Sequence, residues 1–121
     1  MATAADIMKG GHSAMSAKAI NGQVQSAVSA AGTSQTTATD LVASINVVTT
    51  AAASSGVQLP ACEVGDSVEV CNLGANAVTV YPDSGAQINA LSANSGFLLA
   101  TNTAVVLRRF SSTRWMGFLS A

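Results

Sequence analysis

Charge is what this chain has least of. Five Lys or Arg and six Asp or Glu among 121 residues make it 9% charged, against roughly 25% in an ordinary soluble domain. With a net charge of -1, little repulsion opposes self-contact, so an oligomer is expected. The same scarcity speaks against a nucleic-acid partner, which needs clustered Lys and Arg to displace counterions from phosphates. Only Arg108, Arg109 and Arg114 approach a cluster.

Histidine is nearly absent too. His12, in a GGHSA stretch, is the sole one, so a multi-His metal centre cannot be assembled within one chain and any His-based triad would rest on this residue. Cys62 and Cys71 are the only cysteines, and eight residues between them match no zinc pattern. They are expected to be reduced, with a cross-strand disulfide as the less favoured alternative. No run approaches the ~18 apolar residues of a membrane span. The start, with Lys9 and Lys18 among Gly, Ala and Ser, has no apolar core of a secretory signal, so the chain is expected to be cytoplasmic at synthesis.

The remaining polar groups fall short of a catalytic constellation. Glu63, Asp66 and Glu69 recur every third residue through a loop and into a strand, a spacing that lacks the fixed Asp-rich order of a calcium loop. Asp83 within YPDSG suits an Asx-type turn. Gly10 and Gly11 lack the preceding strand and later glycine of a phosphate loop. Neither an enzyme nor a cofactor is expected.

What the chain does contain is a change of texture. Residues 1–35 mix small and polar residues, with Met8, Met15, Ile20, Val24 and Val28 as apolar anchors. Ile20, Val24 and Val28, four apart, suit one narrow helical stripe. This segment reads as an extended or partly helical arm that buries too little apolar area to order itself alone and docks on a partner or sister subunit, the alternative being an Ala-rich, Gly-punctuated terminus that is simply mobile.

Residues 36–121 read as an all-β domain, an antiparallel sandwich or barrel of seven to nine short strands. Ile45, Val47 and Val48 with two following threonines suit a half-buried pleated surface, and Pro60 ends the strand begun at Val57. Ser67–Asn72 and Ala77–Tyr81 are expected to form a hairpin through LGAN, with Gly74 and Asn76 taking positive φ. Val68 with Val70, and Val78 with Val80, mark buried faces. A last hairpin is expected between Ala104–Phe110 and Arg114–Leu119.

In that last strand, alternation puts Trp115, Gly117 and Leu119 on one face and Arg114, Met116 and Phe118 on the other. Both faces are bulky and apolar, which points to a subunit contact through Trp115, Met116 and Phe118. Trp115 plugs the core or an interface on this reading. Alternatively, Trp115 and Tyr81, with Phe110 and the nearby arginines, stack a sugar ring in a receptor- or glycan-binding module.

The segments MKGGHSA, INGQVQSAVSAAGTSQ, INVVTTAAASSGVQLPA and NLGANAVTVYPDSGAQINAL, with the short Trp-containing final strand, resemble small proteins of tailed phages. The likeness is to capsid decoration or cement proteins and related head-fibre modules, and it spans nearly the whole chain. It implies a homotrimer on the capsid exterior of the virion, with the major capsid protein as partner and the arm gripping neighbouring capsid subunits. A phage fibre or tail module that binds a receptor or glycan is the alternative it leaves open.

Overall fold

The computed structural model describes residues 23–120, which contain ten strands and no helix. These are β1 (Val24–Ser29), β2 (Thr39–Asp40), β3 (Ile45–Thr50), β4 (Gly56–Gln58), β5 (Ser67–Asn72), β6 (Val78–Tyr81), β7 (Gln87–Ile88), β8 (Phe97–Leu99), β9 (Thr103–Ser111) and β10 (Arg114–Leu119). They make a six-stranded sheet in the order β1-β3-β5-β9-β10-β7 and a four-stranded sheet in the order β2-β4-β6-β8.

The all-β expectation holds, but the antiparallel sandwich or barrel gives way to mixed sheets with solenoid-like stacking. Through the first six strands the chain visits the two sheets in turn, so each return to a sheet runs in the same direction as the visit before. β1, β3 and β5 are therefore parallel, as are β2, β4 and β6. Val24 lies beside Ile45 and Ile45 beside Glu69, so one coil takes a little over twenty residues. The later strands then reverse: β8 runs antiparallel to β6, β9 to β5 and β10 to β9, while β7 joins β10 in parallel. Alternating apolar residues specify which side chains point inward and say nothing about which strand lies alongside.

The expected hairpin between Ser67–Asn72 and Ala77–Tyr81 is not formed, because β5 and β6 lie in different sheets. Their link is a corner of the coil. Neither Gly74 nor Asn76 has positive φ. Gly74 is needed for close approach instead, since a Cβ there would sit 2.7 Å from the Cβ of Ala51 at the corner of the preceding coil. Asn72, fully buried, ties this corner together: its amide donates to the carbonyls of Asn76 at 2.9 Å and Leu99 at 3.0 Å, and its Oδ1 accepts the Gly74 N–H at 2.9 Å.

The region read as an arm also departs from expectation where it is described. Val24 and Val28 stand on β1 rather than on a helical stripe, and β1 pairs with β3 as the first strand of the stack. An irregularity in register between Gln25 and Val28 turns Val28 inward, where it is buried, and leaves Val24 exposed. Met8, Met15 and Ile20 lie outside the described residues.

One core fills the space between the sheets. Val48, Val68, Val70, Val105, Leu107 and Trp115 come from the larger sheet, and Val57, Val78, Val80 and Leu99 from the smaller. Burying each such side chain contributes roughly 1.5–3 kcal/mol, so this shared layer holds the coils together where neither sheet would persist alone. Leu59 adds to it, its N–H bonded to Tyr81 O at 2.8 Å just before Pro60 ends the pairing.

Candidate interaction surface

The final hairpin forms as expected, β9 and β10 pairing from Ser111 with Arg114 down to Val105 with Leu119. Its inward side carries the only ion pair among the described residues. Arg109 Nη1 lies 2.8 Å from both carboxylate oxygens of Asp83, and Arg109 Nη2 donates to Ser112 O. Trp115 Nε1 donates to Asp83 Oδ1 at 2.9 Å, while the Arg109 guanidinium sits 5.3 Å from the indole centroid. The expected Asx cap is not formed: the turn is closed by the Ala86 N–H on the Asp83 carbonyl at 3.0 Å, and the carboxylate instead anchors a buried cluster that pins the turn to the hairpin. Aromatic and basic residues close in sequence hinted at part of this cluster, but its carboxylate comes from a turn 26 residues before Arg109.

Trp115 is fully buried in that cluster, so it presents no face to a subunit or a sugar. Arg109 stays against its ring, but others grouped with it are dispersed. Arg108 and Phe110 lie on the outer face of the six-stranded sheet, and Tyr81 on the far side of the molecule, on β6 of the smaller sheet.

Met116 and Phe118, by contrast, stand exposed on the outer face of β10. The register builds a row across five strands: Val24, Ile45, Glu69, Val106 and Phe118. Phe118 is 62% exposed, Val24 56%, Phe110 47% and Met116 41%. Phe110, Met116 and Phe118, with the stem of Arg108, line a shallow apolar groove of about 260 Å³. Strand alternation made Met116 and Phe118 legible as a pair. Ile45 and Val24 join them only because parallel stacking brings β1 and β3 into the same sheet.

Cys71 lies on this outer face between Val47 and Ala104. Cys62 packs against the core from the loop before β5, and both thiols are free. Partial burial pushes the Cys71 thiol above its ordinary pKa, helped by the charge of Glu69. Burial does the same for Cys62, reinforced chiefly by Asp66. Both thiols are therefore protonated and sluggish nucleophiles at neutral pH.

The carboxylates Glu63, Asp66 and Glu69 do not converge. Asp66 Oδ2 accepts the Glu63 N–H at 3.0 Å within the loop, while Glu69 stands on the outer face of β5. Among the described residues, no group of three His, Cys, Asp or Glu side chains is placed to hold a metal ion. No protein-family model, curated protein or solved structure matches this chain.

Proposed function

We propose that this chain is a structural virion protein, a decoration or cement subunit on the outside of a phage head, and that it works as a homotrimer. The observation that carries the proposal is the apolar outer face of the six-stranded sheet, centred on Phe110, Met116 and Phe118. A sheet face of this kind is a subunit contact in search of its partner, since monomeric proteins rarely leave wide contiguous apolar patches in water. The low overall charge supports the same reading, because charge is sparse on this face, where Glu69 and Arg108 stand among apolar neighbours. Attachment to the major capsid protein falls to the residues before β1, and three such attachments on one trimer would multiply weak contacts into firm binding.

The oligomer is tested first. Sedimentation equilibrium of the full chain is expected to give three copies per particle, and Phe118→Asp to give monomers with an unchanged β spectrum by circular dichroism. Cys71 supplies a second readout. Its alkylation is expected to be slow at neutral pH and to climb as pH passes above the ordinary thiol range, with the monomeric variant reacting faster at every pH. A monomeric wild-type chain would sink the trimer.

Capsid attachment is tested by co-sedimentation with phage heads stripped of accessory proteins. Saturable binding at a symmetry-related number of copies is expected, lost when residues 1–22 are removed. The deletion must stop before Gln23, because taking β1 away would strip the first strand from the stack. Full binding by the truncated chain would show that the arm is not the attachment.

A further inference from the structure

The outer face of the four-stranded sheet carries a second groove, of about 430 Å³, and it differs in character from the face on the other side of the molecule. Tyr81 on β6 and Leu98 on β8 supply its apolar surface, and Thr33, Ser54, Asn76 and Thr79 supply hydroxyl and amide groups. Among the described residues, no Lys, Arg, His, Asp or Glu lines it.

The tyrosine ring is held in place by what lies beneath it. A Cβ at Gly56 would come 2.7 Å from the ring's Cε2, and one at Gly96 would come 3.0 Å from its Cε1. The two edges of the ring therefore rest over two glycines, one on β4 and one just before β8, in space any other residue would fill. Gly56 pairs with Thr79 rather than with Tyr81, so the ring leans back along its own strand and lies against the sheet. Its hydroxyl donates to Thr33 O at 3.3 Å, fixing the far end. Such a side chain loses little further freedom when a ligand covers it.

We infer that this groove binds a neutral saccharide, with the Tyr81 ring as its stacking platform. A fixed aromatic surface matches the apolar face of a pyranose ring, and the surrounding hydroxyls and amide match its equatorial hydroxyl groups. An anionic or cationic ligand would enter without a counter-charge. Leu98, 67% exposed on the same face, extends the apolar platform from the neighbouring strand. The site stands apart from the apolar face assigned to self-association and does not rest on that assignment.

The test is a titration of the ¹⁵N-labelled full chain with cellohexaose, maltohexaose and chitotetraose, and with a heparin hexasaccharide as the charged comparison. At least one neutral oligosaccharide is expected to shift the amides of Asn76, Thr79, Tyr81 and Leu98, with no response to heparin. Tyr81→Ala is expected to weaken binding roughly tenfold, while Tyr81→Phe keeps the platform and most of the affinity. Leu98→Asp, at a side chain already in solvent, provides a second variant with its fold intact, and it too is expected to weaken binding. Silence with all three neutral sugars, shifts confined to other residues, a response to heparin alone, or undiminished binding by both Tyr81→Ala and Leu98→Asp would overturn the assignment.

Discussion

Asp83→Ala is expected to destabilise the protein by about 3–5 kcal/mol, the cost of leaving one member of a buried ion pair without its partner. The side chains of Arg109 and Asp83 are only 8% and 16% exposed, so water offers the abandoned guanidinium little compensation. Trp115 Nε1 loses its acceptor in the same step. For a domain of this size the loss corresponds to a fall in melting temperature on the order of 20 °C. Asp83→Asn keeps an oxygen for the indole and the guanidinium, so its cost falls between wild type and alanine. The double variant Asp83→Ala with Arg109→Met removes both charges, and is expected to lose less than the sum of the single changes. Urea unfolding of wild type, Asp83→Ala, Asp83→Asn, Arg109→Met and the double variant decides the matter. A loss below about 1 kcal/mol for Asp83→Ala would place this pair with weak surface pairs and remove it as an anchor.

Trp115→Ala carries the other large effect, again about 3–5 kcal/mol, through the cavity left by the largest fully buried side chain. The indole packs at the end of the core where β7, β9 and β10 meet, with Ile88 beside it in register and Arg109 against its ring. Its removal takes away packing, a hydrogen bond and a cation–π contact together. Trp115→Phe keeps much of the packing and is expected to cost less. Thermal denaturation compared across the two variants is the measurement. A near-native melting point for Trp115→Ala would mean that the hairpin is held mainly by its backbone ladder. The prediction also bears on function: since Trp115 is internal, a change in ligand binding by Trp115→Ala would report damage to the fold, and Tyr81 is the aromatic to vary instead.

These two residues illustrate how much of the molecule could be read along the chain. Trp115 and the bounds of its strand are legible in the sequence, because period-two alternation is a local property. Its partner Asp83 looked like a turn residue, because nothing local to YPDSG reveals that Arg109 faces it across the core. The surface residues divide in the same way. Met116 and Phe118 share a face by strand geometry alone, whereas Val24 and Ile45 join that face only through parallel pairing of β1 with β3. Tyr81 was visible as one of few aromatics, but the two glycines that seat its ring lie 25 residues before it and 15 after.

Read along the chain, residues 36–121 are legible as an all-β domain of short strands, as are the buried valine faces of β5 and β6, the stop at Pro60, the final SST turn and the low charge of the outside. Those properties follow from backbone stereochemistry and side-chain polarity, which act over a few residues. The alternation of the first six strands between two sheets, which makes a stack of coils where the β5–β6 hairpin is expected, and the use of Gly74 at a close corner rather than a turn are properties of the folded whole. Strand partners are chosen by the total burial and hydrogen bonding that a whole arrangement achieves, and the same inward-facing valines satisfy more than one arrangement until the corners, the buried Asn72 and the Asp83–Arg109–Trp115 cluster select one.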